Sequence, residues 1–448
     1  MIHPLGDRPN LLELHRRHPE RYPALLQSVL HGTPQARFDI LFACPGEALT
    51  LTTAGLESPS GIAAASFTDA LDRWWQSQRL TMEDDSGLPF RGGWLLFLGY
   101  ELAGEIEPCL DLPPDPDGLP VALALRIPGA LVHDHARDTT YIVGEPGETG
   151  LVHTIRSDLG ALQTRPPAPL RDNPPDIDLA EAAPVEYLQG VEHIKRYIRE
   201  GDVFQVNLSR RWTGELEAGY EDAALYARLC RSNPAPFAGL WRHEDFAILS
   251  SSPERLVAVR NRIASTRPIA GTRRRGGDEC EDAALTQELT AHPKECAEHV
   301  MLIDLERNDL GRVSQPGTVD VDELMIVERY AHVQHIVSNV SGRLRDDVTP
   351  GQVIRALFPG GTITGCPKVR CMEIIAELEG EGRGAYTGSL GYLNRNGDMD
   401  LNILIRTFVR HGNRLSLRTG AGIVADSDPE AELQETRHKA EGLLRALA

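Results

Sequence analysis

Thr419-Gly420-Ala421-Gly422-Ile423-Val424-Ala425-Asp426-Ser427-Asp428-Pro429-Glu430 is the stretch from which this chain is best read, and Glu432, Glu435 and Lys439 follow it closely. Leu415 and Leu417 mark a β-rich run that enters a small-residue turn, and a helix then starts with Asp428 as N-cap and Pro429 at its first position. Glu432 and Glu435 are spaced i, i+3 and share one helical face, with Lys439 one turn beyond. The two glycines let backbone N–H groups approach an anion while two carboxylates stand ready for a cation. That combination suits a small anionic substrate bridged to Mg²⁺. Taken alone, an i, i+3 Glu pair is more often a solvated helix face than a metal site, and a full phosphate-loop pattern is absent.

Upstream lies a second acidic pair. Glu295 and Glu298 are again i, i+3 on a helix expected to start near Pro293 and to run on into Asp304-Leu305-Glu306-Arg307-Asn308-Asp309-Leu310-Gly311-Arg312. Two helices with matching Glu-x-x-Glu pairs can meet around one Mg²⁺, which prefers oxygen ligands and keeps several waters. His335 follows in the alternating run His332-Val333-Gln334-His335-Ile336-Val337-Ser338; a lone strand histidine is more often a hydrogen-bonded core residue than a catalyst.

Further polar patterns surround these pairs. Val191, Ile194 and Ile198 form an apolar helical stripe that Gly201 ends, and a strand follows through Val203-Phe204-Gln205-Val206-Asn207-Leu208-Ser209. Alternation puts Phe204, Val206 and Leu208 on one face and Gln205, Asn207 and Ser209 on the other. The polar face is either solvated or buried, and if buried each group needs a partner, a substrate among the candidates. Arg255-Leu256-Val257-Ala258-Val259-Arg260 reads as one arm of a hairpin turning at Asn261-Arg262 and returning through Ile263 to Thr272. That register brings Glu254 opposite Ile269 and Ala270, beside Gly271, as a surface charge or as an acid aimed into a cleft. Phe358-Pro359-Gly360-Gly361-Thr362-Ile363-Thr364-Gly365-Cys366-Pro367-Lys368 is a glycine-rich loop feeding a helix N-terminus, suited to an anion or an alcohol. Arg406 can grip a carboxylate with two parallel hydrogen bonds.

Composition limits the partners. The 448 residues allow two domains or one large interlocked body, and 41% hydrophobic with 25% charged residues is ordinary for a globular protein. A net charge of −19 argues against nucleic acid or an anionic membrane as the main partner. The seven cysteines are scattered without a Cys-x-x-Cys pair, so neither a zinc knuckle nor a disulfide framework is indicated. The start Met1-Ile2-His3-Pro4-Leu5-Gly6-Asp7 lacks a charged-then-apolar signal segment, and no apolar run of about 18 residues occurs, so a cytoplasmic setting is expected. A proline-dense connector, residues 161–183, separates a front part, 1–160, from a back part, 184–448. The front part offers apolar strand candidates at 38–42, 94–98, 121–125 and 140–143, with no catalytic constellation among them.

Together, residues 201–210, 252–276, 293–313, 358–378, 385–407 and 419–439 resemble, in order, the motifs of the chorismate-utilising enzymes: anthranilate synthase large subunits, aminodeoxychorismate synthase component I, and isochorismate and salicylate synthases. The front part resembles the family's variable N-terminal region only loosely. The resemblance implies an α+β fold of large antiparallel β-sheets packed as a sandwich with helices outside, and a site in the back part. By matching position it implies Glu298 and Glu435 as Mg²⁺ ligands, with Glu295 and Glu432 completing the acidic shell. Arg406, Tyr386 and the amides around Gly420, Ala421 and Gly422 would hold the enolpyruvyl carboxylate of chorismate. Glu254 matches the general acid that protonates the departing C4 hydroxyl. His335, Thr364 and Lys439 match pocket residues, Ala270 and Gly271 line the same pocket, and Thr272 is expected, with His335 and Lys439, among the catalytic residues.

Members that add water carry Lys where this chain has Gln205, so an ammonia user is expected, with Gln205 and Asn207 on the nucleophile side. Gln205-Val206-Asn207 and Gly360-Gly361-Thr362-Ile363-Thr364-Gly365 look like aminodeoxychorismate synthase component I, and Leu14 stands where the tryptophan-sensing motif of anthranilate synthases has Ser. Ala270 is instead the anthranilate synthase residue, where the usual aminodeoxychorismate synthase has Lys. The expected activity is amination of chorismate at C4; the alternatives are anthranilate synthase and a non-enzymatic chorismate-binding regulator. No cysteine sits in the Gly-x-Cys-x-Gly elbow of a glutaminase, so a separate glutamine amidotransferase subunit is the expected partner.

Overall fold

A computed structural model describes the chain except residues 31–35, 81–85, 165–167, 292 and 330–332. Arg165, Pro166 and Pro167 of the connector and His332 of the alternating run therefore lie outside the described residues. Among those described, the strands form two antiparallel sheets of twelve and eleven strands, and in both a block of strands from before the connector pairs edge to edge with a block from after it. Ala24–Gln27 pairs with Phe237–His243 in one sheet, and Gly93–Leu98 with Ser389–Asn394 in the other. The body is interlocked.

Why several front-part strands read as unbroken apolar runs is visible in Gly93–Leu98. Leu95 and Phe97 meet Phe42, Trp241 and Ile248 of the opposite sheet. Trp94, Leu96 and Leu98 pack outward under Trp74 and Trp75 of the helix Phe67–Gln78. With both faces covered, polar alternation would bury unsatisfied groups, so every position is apolar. The twelve-stranded sheet is covered on its outer face by the helices Leu11–Arg17, Asp222–Ser232 and Pro429–Leu447. This is the expected α+β sandwich with helices outside. No helix among the described residues is long and apolar enough to cross a membrane.

The expected local elements recur with shifted bounds. The helix Pro184–Glu200 ends at Gly201 with φ 86°, the left-handed cap that glycine adopts without strain. Asn261 and Arg262, at φ 49° and 63°, form the two-residue loop that pairs Arg260 with Ile263. The helix Pro429–Leu447 has Asp428 as its N-cap, accepting the Ala431 N–H at 2.9 Å.

Candidate active site

Two neighbouring strands form the floor. Gln205–Glu215 pairs antiparallel with Arg414–Ile423 along its length, placing Asn207 opposite Gly422 and Ser209 opposite Gly420. The stretch Gly420-Ala421-Gly422, expected as a turn, is therefore strand, because its partner continues to pair with it. Its small residues answer crowding: a Cβ at Gly422 would lie 2.3 Å from Gln205 Nε2, and one at Gly420 2.8 Å from both Asn207 Oδ1 and the Tyr386 hydroxyl. Ala421 points the other way, into the core with Val206 and Leu208. Phe204 departs from the expected apolar face; it precedes the ladder and is 69% exposed.

The polar face is buried. Ser209 donates to Glu379 at 2.9 Å, whereas Gln205 Oε1 and Asn207 Oδ1 are buried with no hydrogen-bond partner. Two adjacent orphaned acceptors are costly in a finished core and ordinary in a site that awaits a donor. The Asn207 N–H is held by the Thr364 carbonyl at 2.9 Å, and the Thr364 hydroxyl donates to the Gly360 carbonyl at 2.9 Å, shaping the turn Gly361–Ile363. Lys439 donates to the Gly420 carbonyl at 2.9 Å and pairs with Glu435 at 2.7 Å.

Glu254 sits beside this floor and is only 7% exposed. Its N–H bonds to Ser252 Oγ at 3.2 Å and its carbonyl accepts the Ile403 N–H at 3.0 Å, so its backbone is fixed. Burial pushes its carboxyl up to about 7, against the opposing pull of the Thr362 hydroxyl, Lys439, Arg406 and the Ile269 N–H. The hairpin ladder ends at Ala258 and Ser265, so Glu254 meets Ile269 through its side chain rather than by strand pairing. Arg406 adopts φ 52°, and burial lowers its pKa. Its guanidinium makes one long contact, 3.4 Å to Asn233 Oδ1, and no carboxylate pairs with it among the described residues. A guanidinium so placed is an anion site in waiting.

His335 lies in the strand Val333–Arg343, buried, and its ring donates to the Gly271 carbonyl. Burial and then Arg406 lower its pKa to about 4, so it is neutral at physiological pH. Ala270 pairs with Ile336 and Thr272 with His335, and the register shifts between them at Gly271. There φ is 62°, and a Cβ would lie 2.2 Å from Glu295 Oε2, so this bulge favours glycine. Tyr386 is buried, which raises its phenol to about 12.

Four carboxylates offer only hard oxygen donors, the set that Mg²⁺ takes. Glu295, on the helix Pro293–Gly311, pairs with Arg273 at 2.7 Å through one oxygen, while Oε2 is buried with no hydrogen-bond partner. Glu298 is half-buried one turn on. Glu432 and Glu435 act together on the buried Tyr187 phenol, whose hydroxyl has no partner. The orphaned Glu295 oxygen fits a cation, although no three carboxylate, imidazole or thiol groups among the described residues converge as a metal shell.

Three groups near Glu254 or Tyr386 escaped the residue-by-residue reading. Thr362 and Glu306 stood inside stretches read for other features; Glu306 is buried and burial, then Asp309, pushes it up to about 7. Arg383 had only one available signal, its i, i+4 spacing from Glu379, with which it forms a fully buried ion pair.

The sequence profile of chorismate binding enzymes matches residues 29–445. The chain is 43% identical over 386 residues to aminodeoxychorismate synthase component 1 of Bacillus subtilis, covering 84% of this chain and 81% of that one. It is 38% identical over 451 residues to anthranilate synthase component 1 of Acinetobacter calcoaceticus, covering 94% and 89%. The crystal structure of anthranilate synthase component I from Streptococcus pneumoniae superposes with a TM-score of 0.81 at 35% identity, covering 92% of this chain and 93% of that one.

Proposed function

From the premise that this chain belongs to the family of chorismate-binding enzymes, we propose that it aminates chorismate at C4, yielding 4-amino-4-deoxychorismate and water. The observation that carries this reading is Glu254: a buried carboxyl held protonated near neutrality, beside an unpaired guanidinium and two orphaned amide oxygens. Binding alone calls for the guanidinium but not for the acid.

Arg406 and the Tyr386 hydroxyl hold the enolpyruvyl carboxylate. Glu298 and Glu435, with Glu295 and Glu432 around them, are the residues that would hold Mg²⁺. Bound there, the ion supplies the positive charge that anchors the ring carboxylate. Glu254 gives its proton to the C4 oxygen as the C4–O bond breaks, so that water leaves instead of hydroxide. Gln205 and Asn207 accept hydrogen bonds from ammonia and orient its lone pair toward the ring. After the C–N bond forms, the surplus nitrogen proton returns to the Glu254 carboxylate. Neutral His335, fixed on Gly271, and Lys439, fixed on Gly420, keep the ring and the acidic pair in place.

Two relatives carry "component 1" in their names, which supports a second subunit, and we assign it as a glutamine amidotransferase delivering ammonia. Ala270 favours a second reading, amination at C2 to give anthranilate. Product analysis separates the two: with chorismate, Mg²⁺ and ammonium, C4 amination gives 4-aminobenzoate only after aminodeoxychorismate lyase is added, whereas C2 amination gives anthranilate without it. Release of anthranilate by the chain alone would overturn the C4 assignment.

A further inference from the structure

Three segments that carry site residues converge on one guanidinium that the proposed chemistry does not use. Arg383 donates from Nη2 to the Asn207 carbonyl at 2.7 Å and from Nη1 to the Ile363 carbonyl at 3.1 Å. It also donates from Nε and Nη2 to the Glu379 carboxylate at 2.9 and 2.6 Å. Its guanidinium carbon stands 5.5 Å from the centre of the Tyr386 ring and 5.0 Å from that of Tyr100. Glu379 in turn accepts the Ser209 N–H at 2.8 Å and Arg418 Nη2 at 3.0 Å. The backbone of the loop is gripped from the front part, where Glu101 accepts the Arg383 and Gly384 N–H groups at 2.7 and 3.2 Å.

Both side chains of the Arg383–Glu379 pair are 1% exposed. Stability alone is a poor reason to keep such a pair, because well-packed apolar replacements of buried ion pairs are often neutral or better. What a guanidinium supplies is five donors in one rigid plane, which fixes the relative positions of every acceptor it touches. Here the acceptors belong to Asn207, whose amide oxygen awaits a donor, and to the Thr362–Thr364 turn beside Glu254. The ring above the plane is that of Tyr386, three residues along the loop.

We propose that Arg383 is a positioning residue, which registers Asn207, the Thr362–Thr364 turn and Tyr386 against one another so that nucleophile, acid and substrate carboxylate share one geometry. The proposal rests on reading the site as a chorismate site. Arg418 supplies the comparison: it holds the same Glu379 carboxylate, and its other contacts are Ser209 Oγ, two residues along the strand from Asn207, Glu381 and the Gly382 carbonyl, so that it touches neither Asn207, the Thr362–Thr364 turn nor Tyr386 itself.

The test compares the full-length wild type with Arg383→Lys, Arg383→Ala and Arg418→Lys, measuring chorismate affinity by calorimetry and ammonium-dependent chorismate consumption. Arg383→Lys keeps the charge and loses the planar fork; it should lower kcat on the order of 10²-fold, the scale expected for displaced reacting groups, with its Tm close to that of Arg418→Lys. Arg418→Lys, a change at a buried guanidinium of the same Glu379 pair that touches none of the three groups, should lower kcat at least about tenfold less than Arg383→Lys does. Activity of Arg383→Ala should rise at least about tenfold on adding guanidinium, and not on adding an equal concentration of tetramethylammonium. Wild-type kcat and KM in Arg383→Lys would overturn the proposal, as would losses in the Arg383 and Arg418 variants that both simply follow Tm. If Arg383→Ala does not fold, the Lys pair decides. Failure of the wild type to bind chorismate would instead overturn the functional reading, and the positioning proposal with it.

Discussion

Replacing Glu254 with Gln separates its chemical role from its cost to the fold. The carboxyl is lifted from its ordinary 4.5 to about 7 by burial. A carboxyl raised in the folded state binds its proton more tightly there than in the unfolded chain. Between pH 4.5 and 7 the unfolded chain ionises while the folded one does not, so stability falls as pH rises through this window and levels off above it. With about 1.4 kcal/mol per pK unit, Glu254 destabilises the fold by about 1 kcal/mol at pH 5 and about 3 kcal/mol at pH 8. Gln keeps the shape and cannot ionise. Glu254→Gln should therefore be more stable than wild type at pH 8, by up to about 3 kcal/mol, with the gain shrinking to about 1 kcal/mol at pH 5. Glu306 is also raised to about 7, by burial first and in small part by the Glu254 charge, so removing that charge relieves Glu306 as well and acts in the same direction at pH 8. The same change removes the proton donor, so kcat should fall about 10²–10⁴-fold while chorismate still binds. Denaturation of both proteins at the two pH values, beside chorismate turnover, measures both effects. Equal stability differences at the two pH values, or a defect confined to KM, would refute the reasoning.

Other expectations follow from the same contacts. Activity should require Mg²⁺ and vanish with EDTA, and Glu298→Gln or Glu435→Gln should abolish turnover with the far-UV circular dichroism unchanged; full activity in either at ordinary Mg²⁺ would remove the metal assignment. A Cβ at Gly422 meets only the flexible end of Gln205, so Gly422→Ala should lower kcat by displacing that amide at little cost to Tm, whereas Gly420→Ala, 2.6 Å from the Leu208 carbonyl, should cost about 1–3 kcal/mol of stability. The purified chain should use ammonium and not glutamine, and gain glutamine use from a separate amidotransferase subunit; glutamine-dependent turnover by the chain alone would contradict the partner assignment. Ala270→Lys should be tolerated if amination is at C4 and should stop anthranilate formation if it is at C2.

Much of the site was legible because its residues stand in local patterns. Asp428 and Pro429 start their helix where a cap and a first-turn proline must, and Gly201 ends its helix as a left-handed cap. The alternation of Val206, Leu208, Gln205, Asn207 and Ser209 across two faces followed from period two alone. What remained hidden depends on contacts distant in sequence. Glycines at 420 and 422 look like a turn until the facing strand brings Asn207 and Gln205 against them. The carboxyl of Glu254 is raised by burial, and the groups that oppose that rise, Thr362, Lys439 and Arg406, stand more than a hundred residues away in sequence. The i, i+4 spacing of Arg383 from Glu379 marks the ion pair but not the site, since its other acceptors are the distant carbonyls at 207 and 363. Phe204 misled for a simpler reason: alternation holds only inside the ladder, which begins at Gln205.

The most direct measurement of the central claim is mass spectrometry of the product formed from chorismate, Mg²⁺ and ¹⁵N-ammonium by the purified chain in H₂¹⁸O. An aminating enzyme with Glu254 as acid yields a primary product that carries one ¹⁵N, has lost the C4 oxygen and contains no ¹⁸O. Chorismate recovered unchanged, or a product that has gained ¹⁸O without ¹⁵N, would contradict the account.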